Sequence, residues 1–486
     1  MRALRTLGLA VPLALGAAIL ATGIAAPWTG SYDANGALYS IAARNYLRHG
    51  LIATRGGQVC NAGLLRPQDF RFYSHHPPGI SLSLAASFAV FGEHEWSGRL
   101  VPLLFTLGAA ALLYFMAREL GGPLAGSFAA LVFVVQPMVG LYGRMPDHEA
   151  PGAFFALLLT WMYLQWQRTG RRGWPLAMAG ATFLGVWFAW VVFIVPWLLL
   201  GHGWLVRRRD LRPMLIPAAG ALLGLASVLG HIALVEGGLG GLGQALVHRF
   251  GAQALDRDVS GSFTLAQFVE RQGVYFWTGF SVLAACLSLA WAWRVGRRKR
   301  DAALLAAALA AFALANVLGP RQGAYVHIYY QFYLALPLAL TAGLALGALP
   351  RRRAWQAAAF ALAALVAAEG MTKLVPVWRA QRWDGFLGSY HFYPYQLRMA
   401  DYLRRHTEPG DRILLLCDLP YSFRQLTYYS DRNIRVVADE EEAKRLWGED
   451  GYTKAFALRH ISGYAIMPLF TTGSPPMLEY VGGPGQ

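Results

Sequence analysis

The sequence predicts a polytopic α-helical membrane protein of about eleven spans, with a small soluble α/β domain at its C-terminal end. Composition is the first observation: 56% of the 486 residues are hydrophobic, 14% are charged, and mean hydropathy is +0.36. A water-soluble chain carries nearer ~25% charged residues. The placement of positive charge is the second. The formal net charge is +16, yet residues 376–486 hold 13 basic and 13 acidic side chains, so the whole excess belongs to the apolar part. The third is a change of pattern near residue 375, where long apolar runs give way to short segments of strand and helix size.

Taken in order, the apolar runs read as spans lie at about 7–27, 97–117, 122–141, 150–167, 174–188, 189–206, 213–234, 275–293, 302–318, 328–348 and 354–375; the stretch 174–206, long for one span and short for two, is divided because both its ends are basic. Their direction follows from the basic clusters. Arg2 and Arg5 precede the first run, Arg118 follows the second, and Arg168, Arg171 and Arg172 follow the fourth. Arg207, Arg208, Arg209 and Arg212 follow the sixth; Arg294, Arg297, Arg298, Lys299 and Arg300 follow the eighth; Arg351, Arg352 and Arg353 follow the tenth. With the N-terminus inside, every cluster is cytoplasmic, as the positive-inside rule requires. The basic excess is thereby explained without nucleic acid, because the neutral tail offers no basic surface. The first run resembles a signal peptide at Gly23-Ile24-Ala25-Ala26, but its length of about 20 residues exceeds the usual ~7–15 and favours a retained span. The division expected is a membrane domain over 1–375, with an outer loop at 28–96, and an extracytoplasmic domain over 376–486. Cys60, Cys286 and Cys417 form no zinc-ligand pattern, and Cys60 and Cys417 are open to pairing if both lie outside.

The outer loops carry the chemistry. The first opens on Tyr32-Asp33-Ala34-Asn35, followed by Leu38, Ile41, Ala42 and Tyr46 at amphipathic helical spacing, flanked by Arg44 and Arg48. Such a helix is expected to lie along the membrane surface, with Asp33 just before its first turn as a helix cap, a reactive carboxylate, or both. Later come His75-His76-Pro77-Pro78-Gly79, where the prolines impose a turn, and a short apolar helix at 80–92. The second outer loop is Arg144-Met145-Pro146-Asp147-His148-Glu149, ionisable groups that are costly near lipid unless they pair or serve a site. Arg144 pairing with Asp147 is one reading; a second acidic cluster facing Asp33 across a cavity is the other. The third is Arg321 to Tyr333, with His327, Tyr329 and Tyr330 at the outer face. Between the seventh and eighth spans, Leu242, Leu246, Phe250 and Ala254 predict another surface helix, and Glu369 and Lys373 form an i,i+4 pair.

Transfer of a sugar from a lipid phosphate needs a base for the acceptor hydroxyl and cations for the departing phosphate. Asp33 fits the first role. His75, His76, Arg144, Arg321 and His327 fit the second, with Glu149, Tyr329 and Tyr330 beside them as substrate contacts. No Gly-rich nucleotide loop is present. A lipid-linked-sugar flippase is the alternative, but it calls for charges at mid-membrane depth and internal repeats, and here the charges stand at span ends.

The succession Tyr32-Asp33, IAARNYLRHG at 41–50, HHPPG at 75–79, Phe91-Gly92 and Arg99-Leu100-Val101-Pro102 resembles the GT-C glycosyltransferases. Closest in pattern are the dolichyl-phosphate-mannose protein mannosyltransferases and the bacterial aminoarabinose transferases. RMPDHEA at 144–150 is similar to their second acidic motif, and HIYYQFYLALP at 327–337 to a Tyr-rich segment of bacterial members. The resemblance covers about residues 1–375. It implies an inverting glycosyltransferase of the bacterial plasma membrane that takes a polyprenyl-phosphate sugar donor and a protein, lipid or glycan acceptor. It carries the catalytic Asp onto Asp33, the second acidic position onto Asp147 and a phosphate contact onto His76. Many relatives have Asp-Glu in the first motif; here Ala34 follows Asp33, so that glutamate's role is absent or moved. Some branches of the fold use a divalent metal and others none, and no cofactor follows from these residues.

In the tail, a helix is expected over 396–406, a turn at Pro409-Gly410-Asp411, a strand over 412–417, a helix over 422–429, a strand over 434–438 and a helix capped by Asp439 over 440–447. Strand and helix in alternation predict a parallel sheet; without GxGxxG no cofactor binding is expected, and acceptor binding and plain structural packing are both open, with packing favoured.

Overall fold

Runs of small and aliphatic residues fold into helices where hydropathy puts them, and break where proline, glycine or a polar side chain intervenes. The computed structural model describes residues 2–29, 33–206, 210–251, 253–256, 259–294, 299–350, 352–380, 394–417, 423–437, 439–449, 452–460, 464–470 and 479–480. Tyr32, Arg207, Arg208, Arg209, Arg297, Arg298 and Arg351, named above, lie outside these. By contacts the chain forms two compact units, one of Met1–Ile24, His75–Ile80 and Arg99–Ala380, the other of Ala25–Ser74, Ser81–Gly98 and Gln381–Gln486. The outer loop expected with the membrane part thus clusters, for most of its length, with the tail.

In the first unit every predicted span has a helical counterpart. Five are by themselves long and apolar enough to cross a bilayer: Glu95–Gly121, Arg212–Glu236, Arg300–Leu318, Ile328–Gly347 and Arg353–Trp378. The run at 122–141 is not one helix but two, Pro123–Val134 and Pro137–Tyr142, because Gln136 is extended and Pro137 has no N–H to continue the ladder. Gly343 and Gly347 let helix Ala335–Gly347 lie against helix Pro123–Val134: a Cβ on Gly343 would fall 2.5 Å from the Ala129 nitrogen. Ends expected to be cytoplasmic meet one another, with Arg168 3.2 Å from Glu119 and the Lys299 ammonium donating to the Leu120 carbonyl at 3.0 Å.

The run at 275–293 also departs from a single span. Helix Leu265–Gly279 and helix Val282–Arg294 meet at a 104° bend. The bend strands backbone groups, and the Glu369–Lys373 pair, 3.1 Å apart, takes them up. Glu369 accepts from Ser281 Oγ at 2.6 Å and from the N–H groups of Val282 at 2.8 Å and Leu283 at 3.1 Å. Lys373 donates to the carbonyls of Trp277 at 2.7 Å and Phe280 at 2.6 Å. The pair read from i,i+4 spacing is present, and it caps both halves of a broken helix. The predicted surface helix runs over Gly240–Phe250 and stops there; Ala254 lies instead in strand Gln253–Asp256, paired antiparallel with Val259–Ser262.

In the second unit, helix Asp33–Ala53 begins at Asp33 itself, one position earlier than expected. It is not a surface helix: Gly36 through Tyr46 are all buried. Charge pairing makes this burial tolerable. Arg44, 8% exposed, pairs with Glu93 at 2.6 Å and Asp431 at 3.0 Å, and Arg48 with Asp431 at 2.7 Å. The sheet runs Asn433–Val437, Arg412–Cys417, Lys454–His460, Tyr464–Phe470, Glu479–Tyr480; the first three strands are parallel, as strand–helix alternation predicts, and the last two add antiparallel pairings. Helices Pro394–His406 and Arg424–Ser430 contribute to one core around Leu403, Ile413, Leu415 and Leu426. Helix Glu440–Glu449, its end capped by Asp439 Oδ1 accepting from the Glu442 N–H at 2.7 Å, packs into another core with Leu414 and Leu416. Cys60 and Cys417 form no disulfide. Removing one partner of a buried ion pair leaves the other charges stranded, so Arg44→Ala is expected to destabilise this unit by about 3–5 kcal/mol. Thermal unfolding of the full chain in detergent, read alongside protease sensitivity of the tail, measures it; an unchanged melting temperature would mean that the network carries no stability.

Candidate active site

Two prolines and a glycine hold the His75–Gly79 turn. The Trp190 indole N–H donates to the His75 carbonyl at 3.0 Å, and Gly79 sits where a Cβ would come within 2.5 Å of the Trp187 carbonyl oxygen. The loop at 144–149 is anchored at Gly143, whose carbonyl accepts from Thr106 Oγ1 at 2.6 Å. These two segments put the rings of His76 and His148 in a stack, 4.1 Å between centroids and 20° between planes.

His148 stands between two carboxylates. Its Nδ1 is 2.6 Å from Asp147 Oδ1, which also accepts from the His148 backbone N–H at 2.8 Å, and its Nε2 is 3.1 Å from Glu149 Oε1. The Glu149 contact is an ion pair without the alignment of a hydrogen bond, and both Glu149 oxygens are buried without a hydrogen-bond partner. Burial alone would lower the His148 pKa, but the Glu149 and Asp147 charges override it and push it up to about 9. Burial, and then the His148 charge, hold His76 well below the ordinary histidine value. Asp147, despite burial, is held below the carboxylate range by His148. Burial and then the Asp147 charge push Glu149 up to about 8, so His148 and Glu149 titrate close together.

The third segment borders this cluster. His327 and Tyr329 stack at 5.1 Å, Tyr329 and Tyr330 at 5.5 Å, and Tyr142 lies 5.9 Å from Tyr329. The Tyr333 hydroxyl reaches the His148 carbonyl at 3.5 Å. The broken helix holds the segment in place: Gln272 donates to the Ala324 carbonyl at 2.7 Å and Tyr275 to the Tyr325 carbonyl at 2.9 Å.

The candidates read from sequence divide. His75, His76, Asp147, Glu149, His327, Tyr329 and Tyr330 lie in these three segments. Arg144 instead donates to the carbonyls of Leu20 and Thr22, holding the end of the first helix. Arg321 is exposed at the start of helix Arg321–Val326. Asp33 belongs to the other compact unit, half-buried in the first turn of its helix. Arg249 was missed. It stands in the last turn of helix Gly240–Phe250, donates to Gln322 Oε1 at 3.0 Å, and its charge acts on His76, His148, Tyr329 and Tyr330. Its signal was a cation ending a helix already recognised from four-residue spacing. Among the described residues, Asp147, His148 and Glu149 form the one group of potential metal ligands, each offering an atom within 4.8 Å of the others.

Residues 75–233 match the family described as dolichyl-phosphate-mannose-protein mannosyltransferase. "Putative mannosyltransferase YkcB" of Bacillus subtilis (strain 168) is 31% identical over 101 residues, a stretch that covers 21% of this chain and 14% of that protein's length. ArnT from Cupriavidus metallidurans, solved bound to undecaprenyl phosphate, shares the fold with a TM-score of 0.61 at 16% identity, over 93% of this chain and 92% of that one. The Archaeoglobus fulgidus oligosaccharyltransferase, in a complex with zinc and sulfate, does so with a TM-score of 0.56 at 13% identity, over 93% of this chain and 68% of that one. The chain is thus a membrane protein of the GT-C glycosyltransferase fold, and its residues 75–233 carry the sequence pattern of the dolichyl-phosphate-mannose-protein mannosyltransferase family.

Proposed function

We propose that the chain transfers a sugar from a polyprenyl-phosphate donor to an acceptor outside the cytoplasm, in a bacterial plasma membrane, with inversion at the anomeric carbon. The observation that carries this reading is the buried cluster of His76, Asp147, His148 and Glu149, with Arg249 acting on it, in a chain of this fold. In the reaction Asp33 takes the proton of the acceptor hydroxyl. The acceptor oxygen bonds to the anomeric carbon as that carbon's bond to the phosphate oxygen breaks, and polyprenyl phosphate leaves. His76 and Arg249 hold the phosphate as charge builds on it, with His75, His327, Tyr329 and Tyr330 shaping its surroundings. Asp147, His148 and Glu149 orient the His76 ring. The acceptor is a protein, a lipid or a glycan. The flippase alternative draws no support from the relatives, which are named as transferases.

The reading is tested by feeding the purified chain radiolabelled polyprenyl-phosphate sugars and following transfer or hydrolysis with release of polyprenyl phosphate. Inertness with every donor would overturn it. Arg249→Ala is expected to raise the donor KM about 10- to 100-fold, with Arg249→Lys recovering part of the loss, because a charge-assisted contact to phosphate is worth about 1.5–3 kcal/mol. Donor titrations that superimpose on wild type would remove Arg249 from the site.

A further inference from the structure

The helix that begins at Asp33 is gripped along its length by one element of the tail. Arg424, Tyr428 and Asp431, recurring at helical spacing on helix Arg424–Ser430 and its capping residue, meet successive turns of helix Asp33–Ala53 within one compact unit. At the far end the contacts are charged. Arg44 donates to the Tyr428 carbonyl at 3.0 Å, its guanidinium lies 4.5 Å from the centre of the Tyr428 ring, and Arg44 and Arg48 pair with Asp431. Between the ends, Tyr428 packs with Ala37 and Ile41. At the Asp33 end, Arg424 donates to Asn35 Oδ1 at 3.0 Å, with its guanidinium 5.7 Å from the centre of the Tyr73 ring.

The two ends differ in kind. The ion pairs of Arg44 and Arg48 join the helices, whereas Arg424 adds a hydrogen bond and no ion pair: among the described residues no carboxylate pairs with it. What the Asp33 end lacks is internal support. The N–H groups of a first turn have no carbonyl four residues back, so helix ends fray where later turns do not. A base carried there must be held from outside the helix, since a displacement of about 1 Å at a reacting centre costs roughly 100-fold. The Arg424–Asn35 bond is such a support, and the Trp28 ring, lying where a Cβ on Gly36 would fall, is another.

We propose that Arg424 is a positioning residue: through Asn35 it fixes the first turn of helix Asp33–Ala53, and with it the Asp33 carboxylate, so that the C-terminal domain belongs to the catalytic apparatus. Its catalytic meaning rests on the reading of Asp33 as the base, but the fixing of the turn is measured without any activity.

Full-length wild type, Arg424→Ala, Arg424→Lys, Asn35→Ala, Asp33→Asn and the Asp33→Asn, Arg424→Ala double variant are compared by hydrogen exchange and by release of polyprenyl phosphate. Arg424→Ala is expected to speed exchange of the amides at 37–40, which bond to the first turn, and to leave those at 41–48 as in wild type. Its kcat is expected to fall about 10- to 100-fold with the donor KM within about twofold of wild type. Arg424→Lys should recover part of the loss and Asn35→Ala should reproduce it. In the Asp33→Asn background, Arg424→Ala should lower the rate no further, because both changes act through one carboxylate. If Arg424→Ala does not fold, Asn35→Ala carries both readouts. Unchanged exchange at 37–40, or a rise that extends equally through 41–48, would overturn the proposal. So would a loss of rate from Arg424→Ala that persists undiminished in the Asp33→Asn background. Wild type inert with every donor would count against the transferase reading, and Asp33→Asn as active as wild type against the base; in either case the exchange still decides whether Arg424 fixes the turn.

Discussion

Asp33→Asn is expected to lower sugar transfer by about 100-fold or more while leaving the chain folded, which is the loss that removal of a general base produces. Asp33 is the first residue of helix Asp33–Ala53, and half-buried. A carboxylate there gains roughly 0.3–1 kcal/mol from the partial positive charge of the helix end. Asparagine has the same shape and serves the first turn nearly as well, so little stability is at stake and a large loss of activity has to come from the proton it cannot accept. Release of polyprenyl phosphate is measured on the two proteins after matching their unfolding profiles. If the rates agree, Asp33 is only a helix-start residue and the mechanism needs another base. Glu149, buried with neither carboxylate oxygen hydrogen-bonded, would be the next group to examine.

The second large effect is expected at Asp147→Asn. Wild type holds Asp147 as a buried carboxylate against His148, with the Nδ1 contact at 2.6 Å. The variant keeps the volume and loses the charge, at a cost of about 3–5 kcal/mol because His148 remains buried with one carboxylate fewer. Transfer should fall by roughly 100-fold, since a misplacement of about 1 Å at a reacting centre costs that much and the His148 ring sets the His76 ring. The pH profile separates this from general damage. His148 is raised from 6.5 to about 9 in the folded state. A raised pKa contributes stability that is whole below about 6.5 and disappears as pH climbs through about 9. Wild type should therefore lose melting temperature between these limits, and Asp147→Asn should lose less. Parallel profiles for the two proteins would mean that the pair does not carry the His148 proton.

Much of the architecture was legible in the chain because it is imposed by the bilayer and by short-range rules. The spans follow from runs of apolar residues, and the strands at Arg412–Cys417 and Asn433–Val437, with the Asp439 cap, from local pattern. Asp147 and Glu149 stood out as candidates in the chain because ionisable groups at the mouth of a span need a reason to be there. Side-chain pairing across distant segments was not. Arg44 and Arg48 read as the wet flank of a surface helix, but pairing with Asp431 buries the helix. Arg144, expected beside Asp147 or a phosphate, is engaged by carbonyls of the first helix. The span at 275–293 bends because Glu369 and Lys373 satisfy the backbone groups the bend exposes, and hydropathy does not register that exchange. Arg249 was one cation among many until folding brought its field onto His76 and His148. The chain's own order therefore determines which segments enter the membrane, because transfer into lipid is summed residue by residue along a run. Which buried charge answers which is decided only in three dimensions, because an ion pair is worth what its distance and burial make it, and neither is a property of position in the chain.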